Sequence, residues 1–174
     1  MIRSPRITPF LWFDGQAEEA ARFYTSVFPD SSIGEITRFP DEGDNDNRDC
    51  EPGGVITVAF TLSGQPFTAL NGGPHYQFSE AISFAVDCAD QQEVDTYRDA
   101  LSDGGPVESQ RCGWLKDRFG LSWQIVPENL PDLLAGPGSE RVMATFMKMT
   151  KINIASLEAA SESGQNESTT RPES

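Results

Sequence analysis

The chain has 174 residues, enough to bury a sizeable apolar core, and this length predicts one globular domain over residues 1–160. Its 27 acidic residues outnumber the 13 basic ones, and the net charge of −14 argues against a nucleic-acid partner. No stretch approaches the roughly 20 apolar residues that span a bilayer, and the N-terminal residues lack the apolar run of a signal peptide. We therefore expect a cytoplasmic protein without a membrane partner.

The first half of the chain predicts a strand, a helix and three further strands. Residues 7–13 form a short apolar run that ends at a turn sequence, which is typical of a buried strand. Residues 17–28 place apolar side chains at helical spacing, and Pro29 ends the helix. The further strands are predicted at residues 32–39, 55–62 and 67–70. The acidic stretch 41–54 has no apolar period and predicts an exposed loop.

The second half repeats this order. A strand is predicted at residues 81–86 and a helix at 91–101, followed by strands at 107–110, 114–119 and 122–126. The chain is therefore expected to be an α+β protein with two βαβββ units, at residues 5–73 and 79–128. A C-terminal helical segment follows at residues 131–160, with its main helix at 139–149, and residues 161–174 are predicted to be a disordered tail.

Three phrases connect this pattern to a family. ITPFLWFDGQAEEAARFYTSVFPDS, FTALNGGPHYQFSEAISF and CGWLKDRFGLSWQIVP resemble the PhnB-like branch, labelled 3-demethylubiquinone-9 3-methyltransferase-like, of the vicinal oxygen chelate superfamily. Glyoxalase I and bleomycin-resistance proteins share the fold of that superfamily. The resemblance covers residues 5–160 and implies a curved mixed sheet around a cavity, a small organic ligand in that cavity, and a homodimer. Methyl transfer is not expected, because no glycine-rich cofactor loop follows the first strand.

Strand alternation predicts which side chains face the expected cavity. The predicted core face carries Leu11, Phe13, Ile82, Phe84, Val86, Trp123 and Ile125. The alternate strand positions, which are expected to face the cavity, are Thr8, Phe10, Trp12, Thr68, Leu70, Ala81, Ser83, Ala85, Ser122 and Gln124. From this wall and its surroundings we predict eight ligand-binding residues: Thr8, Phe10, Trp12, Thr68, Asn71, Ser83, Trp114 and Gln124. Apolar surface with a few polar groups is typical of a small-molecule pocket.

The resemblance also implies four positions for metal ligands. Matched by register, they fall near Thr8, Thr68, Ala81 and Gln124, and only Gln124 is of a ligand type that the family uses. One amide oxygen does not hold a transition metal, so no cofactor is predicted. A divalent metal remains the alternative, with Glu80 joining the site if the register slips by one residue.

Two residues are candidates for catalysis. His75, the single histidine, follows a glycine-rich turn at residues 71–74, and histidine is a side-chain type that commonly serves as a general base. Glu80 is the second candidate base, with a local capping role as its alternative. Two function classes stay open: an isomerase or lyase type of enzyme that acts next to a carbonyl, and a binding protein that sequesters a small molecule without turnover.

Overall fold

The computed structural model describes residues 6–40 and 52–162, and the chain divides into two compact units between Phe78 and Ser79. Most of the predicted acidic loop, at residues 41–51, and the predicted tail from residue 163 lie outside the described residues. Among the helices of the described part, none has the length and apolar character that crossing a membrane requires.

The first unit has the predicted βαβββ order. Its elements are β1 (Phe10–Phe13), α1 (Ala17–Val27), β2 (Ser32–Arg38), β3 (Val55–Leu62) and β4 (Gln65–Asn71). The strands form a mixed sheet in the order β1-β4-β3-β2, in which β1 and β4 are parallel and the other pairs are antiparallel. The helix ends just before Pro29 because Phe28 is already extended and a proline cannot continue the hydrogen-bond ladder.

The core of the first unit lies between α1 and one face of this sheet. Four helix residues are fully buried, namely Ala17, Ala20, Ala21 and Tyr24. The small alanines let the helix lie close to the strands, while the Tyr24 ring stacks on Phe60 with centroids 6.3 Å apart. Phe60 in turn stacks on Phe67 at 5.4 Å. Burying each such ring stabilises the fold by about 1.5–3 kcal/mol.

The second unit begins with the same order but differs after its helix. Its elements are β5 (Phe84–Cys88), α2 (Gln91–Ser102), a 3-10 helix (Val107–Ser109), β6 (Trp114–Lys116) and β7 (Ser122–Pro127). The three strands form a mixed sheet in the order β5-β7-β6. Helix α2 begins with a reciprocal cap, since Asp90 accepts from the Glu93 backbone N–H at 2.9 Å and Glu93 accepts from the Ala89 N–H at 2.8 Å.

Three strand predictions in this unit need correction. The strand predicted at 81–86 begins only at Phe84, and Ile82, predicted to be buried, is 58% exposed. A turn with the Ile82 N–H bonded to the Ser79 carbonyl precedes the strand. The strand predicted at 107–110 is the 3-10 helix, and the one predicted at 114–119 ends at Lys116.

The cause of the 3-10 helix is a local hydrogen-bond network. Ser109 Oγ donates to the Pro106 carbonyl at 2.7 Å and accepts from the Lys116 backbone N–H at 2.9 Å. Ser109 therefore bonds a strand neighbour through its side chain instead of through a backbone ladder. Side-chain competition of this kind is typical of serine.

The C-terminal segment contains three helices where one main helix was predicted. They are α3 (Leu130–Ala135), α4 (Ser139–Phe146) and α5 (Ile154–Glu162). Helix α4 ends three residues before the predicted residue 149, and α5 includes Ser161 and Glu162, which were assigned to the tail. The helices bury Val142 and Leu157 completely.

The stretch between α4 and α5 ties this segment to the rest of the second unit. The backbone N–H of Cys112 donates to the Met149 carbonyl at 2.8 Å. The Gln91 side chain binds the same stretch twice: its Nε2 donates to the Ile152 carbonyl at 3.0 Å, and its Oε1 accepts from the Ile154 N–H at 2.9 Å. The segment is thus part of the packed unit and not a free appendage.

Candidate functional site

The first sheet has one face covered by α1 and one open face, as strand alternation predicts. Leu11 and Phe13 are buried, whereas Phe10 is 63% exposed and Trp12 is partly exposed. In the parallel pair of β1 and β4, Phe10 lies opposite Thr68. Three predicted ligand residues, Phe10, Trp12 and Thr68, are therefore neighbours on the open face. Thr8, also predicted there, lies before β1 and is partly exposed.

The Trp12 ring is held by the loop that follows β4. Its Nε1 donates to the Gly73 carbonyl at 2.8 Å, and its ring meets Tyr76 edge-on with centroids 4.8 Å apart. Gly72 lies so close that an added Cβ would be 2.1 Å from Cζ2 of Trp12. Sequence reasoning missed the roles of Gly72 and Tyr76, because a glycine-rich stretch after a strand indicates only a turn.

The Asn71 side chain, predicted to orient a ligand, forms hydrogen bonds within the first unit. Its Oδ1 accepts from the Ala17 N–H at 2.9 Å, at the first residue of α1. Its Nδ2 donates to the Val55 carbonyl at 3.0 Å, at the start of β3. The amide therefore joins β4 to the helix N-terminus and to the neighbouring strand, and we assign it a positioning role beside the open face.

His75 lies in the loop that follows β4, and it is exposed. Among the residues that the structure describes, no carboxylate or carbonyl is hydrogen bonded to its ring, so the predicted base would act without an orienting partner.

The second sheet also brings predicted residues together on its open face. Gln124 of β7 lies between Ala85 of β5 and Trp114 of β6 in the sheet register. Its Nε2 donates to Ser83 Oγ at 2.8 Å. Ser83, Trp114 and Gln124 therefore form one group. Ser122, also predicted on this face, is fully buried, and its Oγ has no hydrogen-bond partner within the described ranges.

Glu80, the second predicted base, forms an ion pair with Lys116, with 2.5 Å between Oε1 and Nζ. In β6, Trp114 and Lys116 lie on either side of buried Leu115 and therefore point to the same face of the sheet. The Glu80–Lys116 ion pair thus lies on the same face as Gln124. The hydrogen bond from Lys116 is the main cause that lowers the pKa of the Glu80 carboxyl. A carboxylate with a lowered pKa stays ionised at neutral pH and is a weaker base.

Replacing Lys116 with methionine should raise the pKa of Glu80 back toward its ordinary value of 4.5. Because the folded-state pKa is the lower one, the stabilisation from this pair is present at neutral pH and is lost as the pH falls below about 4.5. A carboxyl-carbon NMR titration measures the shift. Lys151→Met is the matched control: it removes the ion pair with Asp95, 2.8 Å long, and should leave the Glu80 titration unchanged. An unshifted Glu80 in Lys116→Met would contradict the assignment.

The metal quartet implied by the resemblance does not fit this chain. Of its four register positions only Gln124 is of a ligand type, and that amide is bonded to Ser83. Glu80, which a register slip would add, is paired with Lys116. Across residues 6–40 and 52–162 no group of three or more His, Cys, Asp or Glu side chains is placed to hold a metal ion.

The described thiols are not suited to nucleophilic chemistry. Cys88 is fully buried, and burial is the main cause that raises its pKa to about 12, with the nearby Glu93 carboxylate adding to the shift. Cys112 is also buried, in a turn with a positive φ of 51°. Both residues are packing positions.

Two mixed sheets, each with one helix-covered face and one open face, define an α+β protein built from a repeated βα unit, which confirms the predicted fold class. A family model described as 3-demethylubiquinone-9 3-methyltransferase matches residues 5–126. The chain therefore belongs to this family, which includes PhnB-like proteins.

Several solved structures are similar to this chain. A PhnB protein from Bacillus cereus, which carries the provisional name 3-demethylubiquinone-9 3-methyltransferase, is 34% identical with a TM-score of 0.60; the match covers 70% of this chain and 99% of that one. A protein from Staphylococcus aureus is 33% identical over 73% of this chain and 100% of its own, with a TM-score of 0.32. Protein PA1353 from Pseudomonas aeruginosa, 19% identical over 71% of this chain and 98% of its own, has a TM-score of 0.55 and shares the fold. No match was found among curated proteins.

Proposed function

We propose that the protein binds a small, flat organic molecule that carries a carbonyl or hydroxyl oxygen, and that it does so on the open sheet faces. The observation that carries this proposal is the Trp12 ring, which is partly exposed yet held by Gly73 and Tyr76. A ring whose orientation is already set loses little conformational freedom when a ligand stacks on it. Aromatic stacking contributes about 0.5–1.5 kcal/mol beyond the area that it buries.

Each sheet pairs an aromatic ring with a neutral polar group. In the first sheet, Thr68 lies beside Phe10 and close to Trp12. In the second, Trp114 lies beside Gln124, whose Nε2 is bonded to Ser83 and whose Oε1 accepts no hydrogen bond from the described residues. Neutral donors and acceptors beside apolar rings favour an uncharged or weakly acidic ligand.

The methyltransferase activity in the name of the family differs from the function that we propose. A typical methyltransferase binds its cofactor at a glycine-rich turn of a parallel sheet. Here both sheets are mixed, and β1 is followed by Asp14-Gly15-Gln16. Methyl transfer is therefore not part of the proposed activity.

A second candidate function is proton abstraction next to the carbonyl of the bound molecule. It is favoured by Glu80, a carboxylate that Lys116 holds at the same face as Gln124 and Ser83. In this reading Glu80 takes the proton after the ligand displaces Lys116, and Gln124 or Ser83 binds the oxygen. For a molecule bound at the open face of the first sheet, His75 is the candidate base.

Acetophenone, benzamide and benzoate are suitable probes for the test. Titration in ordinary water, followed by amide NMR shifts and tryptophan fluorescence, should perturb β1 and β4 together with the Trp12 indole N–H. A separate incubation with acetophenone in heavy water tests for proton exchange. Trp12→Leu should weaken binding of the best probe about tenfold, and Tyr97→Leu, which changes an aromatic residue of α2, should not.

The outcomes separate the candidate functions. Deuterium entering the methyl group of acetophenone, and lost in Glu80→Gln, would establish proton abstraction; binding without exchange would leave the sequestering function. No shift with any of the three probes would refute the ligand proposal.

The homodimer implied by the resemblance is kept as a proposal. Met143 of helix α4 is 44% exposed and Met147, the residue after the helix, is 47% exposed, while Val142 of the helix is buried. Exposed methionines adapt well to a second surface. Analytical ultracentrifugation of the protein would measure its molecular mass in solution. A monomer at micromolar concentration would exclude the dimer.

A further inference from the structure

The end of β4 contains a peptide bond of the type at which asparagine most readily loses its amide. Asn71 is followed by Gly72, and glycine has no Cβ to shield the peptide nitrogen that attacks the asparagine side chain. The other asparagines of the sequence are followed by larger residues. Both residues of the pair are partly exposed, so water reaches them. The pair is therefore a candidate site of spontaneous deamidation.

The reaction needs water and no other reagent. The Gly72 nitrogen loses its proton to solvent base and attacks Cγ of Asn71. The bond from Cγ to Nδ2 then breaks, and Nδ2 leaves as ammonia after taking a proton from water. Water opens the resulting five-membered imide at either of its two carbonyls, which gives aspartate or isoaspartate. The net change converts asparagine and water into an acid and ammonia, with no oxidation or reduction.

Three hydrogen bonds oppose this reaction in the folded protein. The Gly72 N–H donates to the Phe13 carbonyl of β1 at 3.0 Å, which disfavours loss of its proton. The Asn71 amide is held at both ends, with its Oδ1 accepting from the Ala17 N–H at 2.9 Å and its Nδ2 donating to the Val55 carbonyl at 3.0 Å. Attack requires a free nitrogen and a Cγ turned toward it. The strand end therefore has to open before the reaction can start.

The product would fit this strand end poorly. A carboxylate oxygen at position 71 would face the Val55 carbonyl where Nδ2 now donates, so two acceptors would meet without a proton. Isoaspartate adds one carbon to the main chain directly before Gly72, where even an added Cβ would lie 2.1 Å from Cζ2 of Trp12. We propose that Asn71–Gly72 is a deamidation site that folding protects. The amide survives while β4 is closed against β1 and α1, and its loss releases the Trp12 ring.

The test incubates the full chain in mildly alkaline buffer, either folded or in urea, and follows the mass gain of the Asn71 peptide by mass spectrometry. We expect conversion to be at least about tenfold slower in the folded protein, because it proceeds only from the fraction of molecules that is open. Equal rates in the two conditions would overturn the proposed protection.

Ser63→Asn places a second Asn–Gly pair in the same folded molecule as a matched control. Ser63 and Gly64 form the exposed β3–β4 turn, with φ values of 44° and 81° that suit asparagine followed by glycine. Folding should protect this exposed turn less, so the introduced asparagine should convert at least about tenfold faster than Asn71 in the folded variant. In urea the two should convert at similar rates. Equal rates at the two pairs in the folded variant would contradict a specific role for the contacts of Asn71.

The effect of the modification on Trp12 is measured on deamidated protein that has been separated by ion exchange and refolded. The indole N–H signal of Trp12 should lose the chemical shift that its bond to the Gly73 carbonyl gives it. An unchanged indole signal would overturn the link to Trp12. A thermal melt verifies that Ser63→Asn is folded. None of these measurements uses a ligand, so the result is independent of the proposed binding function.

Discussion

Asp117→Asn is expected to lower the free energy of unfolding by about 3 kcal/mol, since hydrogen bonds to a charged group contribute about 1.5–3 kcal/mol each and an unmatched buried donor adds to the loss. Asp117 is 1% exposed and lies at the β6–β7 turn. Its Oδ1 accepts from the backbone N–H groups of Phe119 and Leu121, at 2.8 and 3.1 Å. Its Oδ2 accepts from Trp123 Nε1 at 2.8 Å, where an asparagine amide would present a second donor. Thermal or denaturant unfolding measures the effect, with a fall in Tm of about 10 °C.

Asp103→Asn is the matched control for this experiment. Asp103 is an exposed acid paired with Arg118 on the same turn, at 2.5 Å, and its loss should cost less than about 1 kcal/mol. Equal destabilisation by the two variants would contradict the assignment of Asp117 as the buried hub of the turn. Asp117 is also relevant to the proposed ligand binding, because it stabilises the β6–β7 hairpin, which contains Trp114 and Gln124.

Gly72→Ala is expected to abolish or strongly weaken ligand binding at the first open face. The added Cβ would lie 2.1 Å from Cζ2 and 2.4 Å from Cε2 of Trp12, so the indole or the loop has to move. Either movement breaks the hydrogen bond from Trp12 to the Gly73 carbonyl. We expect at least about tenfold weaker binding of the best aromatic probe and a stability loss of about 2 kcal/mol, as for an overpacked core. Tryptophan fluorescence and probe titration measure the two effects.

Gly64→Ala separates this clash from the general cost of replacing a glycine. Gly64 has a φ of +81° and nothing within 4 Å of an added Cβ, so alanine there should cost about 1 kcal/mol through backbone strain alone. Its probe binding should match that of the unchanged protein. Undiminished binding in Gly72→Ala would remove Trp12 from the proposed site.

Most element bounds of the first unit could be predicted closely from the sequence, although β1 begins at Phe10, three residues after the predicted start at residue 7. The strand at 55–62 matches β3, and the helix predicted at 17–28 ends one residue earlier, at Val27. Both segments have strong periodicity, with alternating burial in the strand and four buried residues on one helix face. Local sequence was sufficient because the helix and the strand each bury one face only.

The second unit was predicted less well because its signals are short. The apolar stretch at 81–86 contained a turn followed by a strand, and the stretch at 107–110 formed a 3-10 helix. A run of four to six residues does not distinguish a strand from a turn by its period. The deciding contact at Ser109 joins it to Lys116, seven residues away.

The sequence by itself determined the family, the order of the elements in the first unit and which side of β1 and β4 is buried. The buried side could be predicted because side-chain alternation is a local property of an extended backbone. Only the tertiary structure decided what each exposed polar group does. Asn71 binds the start of α1, 54 residues away, and Gln124 binds Ser83, 41 residues away. Such contacts depend on strand order and loop path, which no period along the chain records, and they distinguish a residue that positions the fold from one that is free to meet a ligand.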